Sequence, residues 1–142
     1  MLSGVALAVK AVNPAARVIG VGARHAGGMA ASVRAGHPVE APETPTWADS
    51  LLGGVGKDNR LTLRLVRHWV DDLVEVSEEE IVEALCYLVE HHRLIVEGAA
   101  AVGVAALLTG RVTAGASTAV LLTGNVVEAG RVMQAWQARL AP

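Results

Sequence analysis

Residues 96–125 read VEGAAAVGVAALLTGRVTAGASTAVLLTGN. Their reading decides the fold. The first part is a helix of Ala, Gly and Val with almost no side-chain bulk, so its backbone can lie very close to a sheet or a flat ligand. A polar loop follows. Thr118 to Leu122 is then a short apolar run, the pattern of a strand buried on both faces of a parallel sheet. Thr123, Gly124 and Asn125 make a sharp turn at its end. That turn sets a hydroxyl and a pliant backbone at the carboxyl edge of the sheet, the edge at which open α/β sheets take their ligands.

The rest of the chain alternates helices with apolar strands. Leu2 to Val12 reads as a helix ended by Asn13-Pro14, because Pro cannot continue it. Arg17 to Val21 is a short strand, and Gly27 to Ala35 is a helix closed by Gly36. Pro38, Pro42 and Pro45 mark a long connection, followed by a loop containing Gly53, Gly54 and Gly56. Leu61 to Val70 is helical, with Leu61, Leu65, His68 and Trp69 on one side. Leu73 to Val76 is a second strand. Ser77 opens a helix, SEEEIVEALCYLVEHH, with Glu80 completing a capping box and Ile81, Leu85, Leu88 and Val89 as its buried stripe. A last helix runs from about Val126 to Leu140. The pattern is α/β: a partial open parallel sheet with helices on both faces, a single incomplete domain over residues 1–142.

Composition excludes several classes of function. The 142 residues are 52% hydrophobic but only 3% aromatic, with no Phe, so the core is aliphatic. A net charge of −2 gives no electrostatic case for nucleic acid or an anionic membrane. The single cysteine, Cys86, excludes an internal disulfide and reads as a small buried apolar residue. The longest uncharged run, Val112 to Val127, is shorter than a membrane span and carries Thr, Gly, Ser and Asn. No basic segment precedes the apolar start, so no signal peptide is expected, and a cytoplasmic location is. No nucleophile–base pattern, HExxH or CxxC occurs. His25, His37, His68, His91 and His92 are scattered, and the adjacent pair would face different sides of a helix.

VEGAAAVGVAALLTG followed by VLLTGNV resembles the C-terminal part of the threonine dehydratase family of pyridoxal-phosphate (PLP) enzymes, fold type II. TWADSLLGGVGKDNR is similar to the hydroxyectoine-utilisation branch of that family. The resemblance runs from about residue 2 to about residue 133. It implies a lyase that removes water from a β-hydroxy amino acid and releases ammonia. It also implies that the N-terminal half, with the cofactor's lysine and a glycine-rich phosphate loop, is absent. The family's lysine lies in a motif containing Phe, which this chain lacks, and neither Lys10 nor Lys57 matches it.

By resemblance, Thr123 holds the hydroxyl that bonds the pyridine nitrogen, with Gly124 beside it. Glu97 matches the family's acid at the start of the small-residue helix, and Ser50 matches a segment whose backbone lies near the cofactor's hydroxyl. No residue is assigned a catalytic role. The turn TGN is one residue shorter than the family's [ST]-G-x-N, which leaves two registers for Thr123. Gly22 stands where some members carry a cation-binding acid, so no metal is expected. The expectation is therefore a C-terminal portion of a dehydratase, inactive alone, acting as a homo-oligomer or as a complement to the absent half. The alternative is a non-catalytic α/β partner domain that binds another chain or the missing half.

Overall fold

The computed structural model describes residues 1–140, the side chain of Leu140 excepted. Its centre is a two-stranded parallel sheet of β1 (Ile19–Ala23) and β2 (Asp72–Val76). The register pairs Val21 with Val74 and Ala23 with Val76. Strand side chains alternate between faces, so these four residues share one face, and Gly20, Leu73, Gly22 and Glu75 share the other.

The first face is covered by α5 (Gly98–Leu108), which packs on both strands. Ala100, Ala101, Ala105 and Ala106 are buried there with Ala23 and Val76. Small residues along the helix let its backbone approach the sheet. Behind α5 lies α4 (Glu78–Tyr87), which places Ile81 and Leu85 in the same core. Burying each of these two side chains stabilises the fold by about 1.5–3 kcal/mol. A π-helical turn, Leu88–His92, extends α4, and Arg93 ends it in the left-handed conformation. Outermost is α6 (Ala129–Leu140), fixed by the fully buried Val132 and by Glu90, which accepts from the Trp136 indole at 2.8 Å and pairs with Arg139.

The opposite face takes α1 (Leu2–Val12), α2 (Gly28–Ala35) and α3 (Thr62–Trp69). A Cβ at Gly20 would strike the side chains of Leu2 and Leu73 at 2.6 Å each, so glycine is what lets α1 lie on β1. α3 packs on α1 and α2. Its buried residues are Leu63 and Val66, while Leu61 is exposed. This corrects the apolar side expected for α3, because the helix turns toward α1 through Leu63 and Val66. Asp71 closes the layer: it accepts from the Val18 amide at 2.6 Å and pairs with Lys10 at 2.8 Å.

The helix starts and stops follow local chemistry. Ser77 Oγ accepts from the Glu80 amide and Glu80 accepts from the Ser77 amide, the complete capping box. Gly36 ends α2 with φ +81°. The expected strand from Thr118 to Leu122 is not a strand. Among the described residues β1 and β2 pair only with each other, and residues 118–121 are exposed. An apolar run becomes a strand only where a neighbouring strand takes its backbone N–H and C=O groups, and here none does.

Candidate functional site

Three segments meet at the start of α5. Glu97 is its N-cap residue; the Glu97 side chain does not cap the helix, and the first turn within the helix holds no acid. The opening amides therefore keep their partial positive charge. The second segment is the turn Thr123–Asn125. The Glu97 amide donates to the Gly124 carbonyl at 3.1 Å, and a Cβ at Gly124 would fall on the Glu97 carboxylate. Thr123, next in the turn, is exposed, so its hydroxyl is open to solvent.

The third segment is the loop from Glu43 to Gly54, which contains a short 3-10 turn, Asp49–Leu51, packed against α5. The backbone of Trp47 lies against Gly98, where an added Cβ would collide with the Trp47 carbonyl. Ser50 is exposed on the 3-10 turn, and its amide donates to Asp49 Oδ1 at 2.8 Å. Thus Glu97 and Gly124 are in contact, Thr123 is joined to them by the chain, and Ser50 stands on the neighbouring loop.

Sequence reasoning missed two residues that build this site. Glu78, in the first turn of α4, accepts from Thr46 Oγ1 at 2.6 Å and from the Trp47 amide at 2.7 Å. It thereby fixes the loop that touches Gly98. Its signal was present in SEEE: the capping box needs Glu80 alone, which leaves Glu78 free to reach another segment. The second is Trp47, whose ring lies 4.1 Å under the Arg131 guanidinium of α6. No spacing rule brings residues so far apart in sequence together.

The other titratable groups serve structure. Burial alone would raise Glu80, but the Ser77 amide and Arg111 outweigh it and hold its carboxyl below the usual range. Burial pushes the Cys86 thiol up, so it stays protonated and unreactive. Lys10 lies on α1 with Asp71, and Lys57 pairs with Glu40 at 2.9 Å on the exposed surface. Among the described residues no three His, Cys, Asp or Glu side chains gather closely enough to hold a metal ion.

A parallel sheet flanked by helices, with a small-residue helix whose start meets a hydroxyl-bearing turn, defines the class as an open α/β protein. The sequence carries the match for one such family: residues 1–124 fit the profile described as pyridoxal-phosphate dependent enzyme, and the chain belongs to that family. It is 47% identical over 131 residues to a Sinorhizobium fredii protein whose name marks it only as a candidate threonine dehydratase, covering 92% of this chain and 40% of the relative. It is 38% identical over 132 residues to the L-threonine ammonia-lyase of Thermotoga maritima, covering 93% of this chain and 32% of that protein. Among solved structures, maize serine racemase superposes with a TM-score of 0.80 at 34% identity, over 96% of this chain and 43% of that one. The chain thus spans about two fifths of the length of the first curated relative.

The family match overturns one expectation. The chain was expected to be only a C-terminal portion of such an enzyme, in half of a PLP-type fold, and inactive alone. The matched region instead begins at residue 1 and extends to residue 124, so it fills most of the chain. The inference that the cofactor's lysine lies outside the chain loses its basis with it. The relatives cited carry threonine and serine names, and none bears the hydroxyectoine branch.

The residues at the start of α5 fit the family's cofactor. The half-buried Ala99 has no bulk, the opening amides of α5 suit an anionic group, and Thr123 carries an exposed neutral hydroxyl. No helix among the described residues is long and apolar enough to cross a membrane.

Proposed function

We propose that the chain carries the PLP-binding edge of a dehydratase and ammonia-lyase that eliminates water from a β-hydroxy amino acid of the threonine or serine type. The observation that carries this reading is the meeting of Glu97, the Thr123–Gly124 turn and the Trp47 loop at one end of α5, within a family match over residues 1–124. The bound cofactor supplies an electron sink for the pair released at the α-carbon.

The chain's own residues set how that sink is used. Thr123 would bond the ring nitrogen through a neutral hydroxyl. Unlike a carboxylate, it does not hold that nitrogen protonated, which favours elimination at the β-carbon over more demanding carbanion chemistry. Glu97 would place a negative charge beside the ring, and the backbone at Ser50 would flank the cofactor's hydroxyl. Gly98 lets the Trp47 backbone pack against the start of α5. The narrower hydroxyectoine-derived substrate rests on the resemblance of TWADSLLGGVGKDNR alone. Self-association is the proposed assembly, supported by exposed Leu94, Leu108 and Val120 about a groove of ≈ 330 Å³, and a cytoplasmic location is proposed with it.

The test is equilibrium titration of the full chain with PLP, followed by desalting and absorbance, with threonine, serine and a hydroxyectoine-derived amino acid offered in turn. Stoichiometric retention with ammonia release from threonine or serine supports the reading. A chain that retains no PLP overturns it.

A further inference from the structure

The loop that carries Trp47 and Ser50 is held at three points. Its middle is fixed by Glu78, through Thr46 and the Trp47 amide. Its far end rests on α2, where the Gly54 Cα lies 3.4 Å from the position of a Cβ on Gly28. Its near end is tied by Glu43. One carboxylate oxygen of Glu43 accepts from the Gly53 amide at 2.7 Å and from the Gly54 amide at 2.9 Å. Gly53 and Gly54 have φ of +113° and +63°, a backbone that turns successive N–H groups toward one acceptor.

We propose that Glu43 is a positioning residue for the cofactor site. Its carboxylate closes the loop from Glu43 to Gly54, and the closed loop holds Trp47 and Ser50 against the start of α5. The inference rests on the cofactor reading above and adds to it a residue that touches no ligand. The tie before it lies four residues upstream, where the Val39 amide donates to the buried Ser32 hydroxyl at 3.0 Å. The neighbouring Glu40–Lys57 pair has side chains 78% and 82% exposed, and such pairs contribute little. Glu43 instead makes two charge-assisted bonds to backbone amides that no helix or strand occupies.

The test compares Glu43→Ala, Glu43→Gln and Glu40→Ala in the full chain by amide hydrogen exchange and by PLP titration. Glu43→Ala is expected to speed exchange at Gly53 and Gly54 and to weaken PLP binding about tenfold, the scale of one lost hydrogen bond to a charged group. Its melting temperature stays near the parent's, because the loop end is exposed. Glu43→Gln keeps an acceptor oxygen and restores most of both signals, and Glu40→Ala changes neither. Unchanged exchange in Glu43→Ala overturns the closure. Faster exchange with parental PLP affinity overturns the positioning role. A parent that binds no PLP overturns the cofactor reading and the positioning role together, and the exchange measurement then still decides the closure.

Discussion

At the scale of single residues, the site is made by what glycine omits and what threonine adds. Gly98→Ala would push a methyl into the Trp47 carbonyl. It is expected to cost about 1–3 kcal/mol, as overpacking does, and to reduce PLP retention, checked by thermal melting and by titration. Thr123 is exposed, so its substitutions should spare stability and act on the ligand alone. Thr123→Ala is expected to weaken PLP retention by about 0.5–1.5 kcal/mol, the net value of one neutral hydrogen bond. Thr123→Ser should be nearly silent, and Thr123→Asp should shift the cofactor's absorbance by favouring a protonated ring nitrogen. If all three variants match the parent, Thr123 is only a turn residue, and the shortened TGN turn has moved the hydroxyl out of register. Glu97, Gly124 and Thr123 are singled out by the family resemblance, and the structure adds the contact of Glu97 with Gly124. Glu78 is legible only as an acid in SEEE that the capping box does not need, and Trp47 carries no such signal, because its role exists only once two distant segments meet.

Elements were legible where local chemistry decides them. The capping box at Ser77 and the Gly36 stop of α2 need only their own neighbours, and both stand where the residues place them. The strand from Thr118 to Leu122 failed for the complementary reason: a strand is a property of a pair. Ser77→Ala is expected to cost about 0.5–2 kcal/mol through the lost cap, measured by denaturant unfolding. Glu80 gives α4 a pH dependence of known sign. Its folded carboxyl lies below the ordinary value, so its contribution is present above the usual carboxylate range and is lost as the pH falls through the folded value. Glu80→Gln keeps the capping geometry but loses the charge toward Arg111. The parent should therefore melt higher than Glu80→Gln near pH 7, and the gap should close on acidification below the carboxylate range. A gap constant from pH 7 to pH 3 would contradict this.

For the whole molecule, the two helix layers share two strands among the described residues, so neither layer is expected to keep its core without the other. Unfolding is expected to be a single transition. Trp69 in α3 and Trp136 in α6 sit in opposite layers and report separately when the remaining tryptophans are replaced by Phe. Coincident urea midpoints for both reporters and for far-ultraviolet circular dichroism would support this, and separated midpoints would show that the layers melt apart. The α/β class and the helices on both faces were readable from alternating periods. The size of the sheet was not, because apolar runs do not say which of them will find a partner.

The parallel register has a consequence in time. Val18 and Asp71, bonded at the mouth of the sheet, are 53 positions apart. Closing a loop of that length costs roughly 3.5 kcal/mol of chain entropy before any strand contact repays it. Strand pairing is therefore a late and slow event, while the capped α4 can form early on its own signals. The same logarithm makes the connection forgiving: doubling its length adds only about 0.6 kcal/mol. Segments inserted between Val39 and Glu43, ahead of the tie at Glu43, should leave the equilibrium nearly untouched and show themselves mainly as a slower refolding rate.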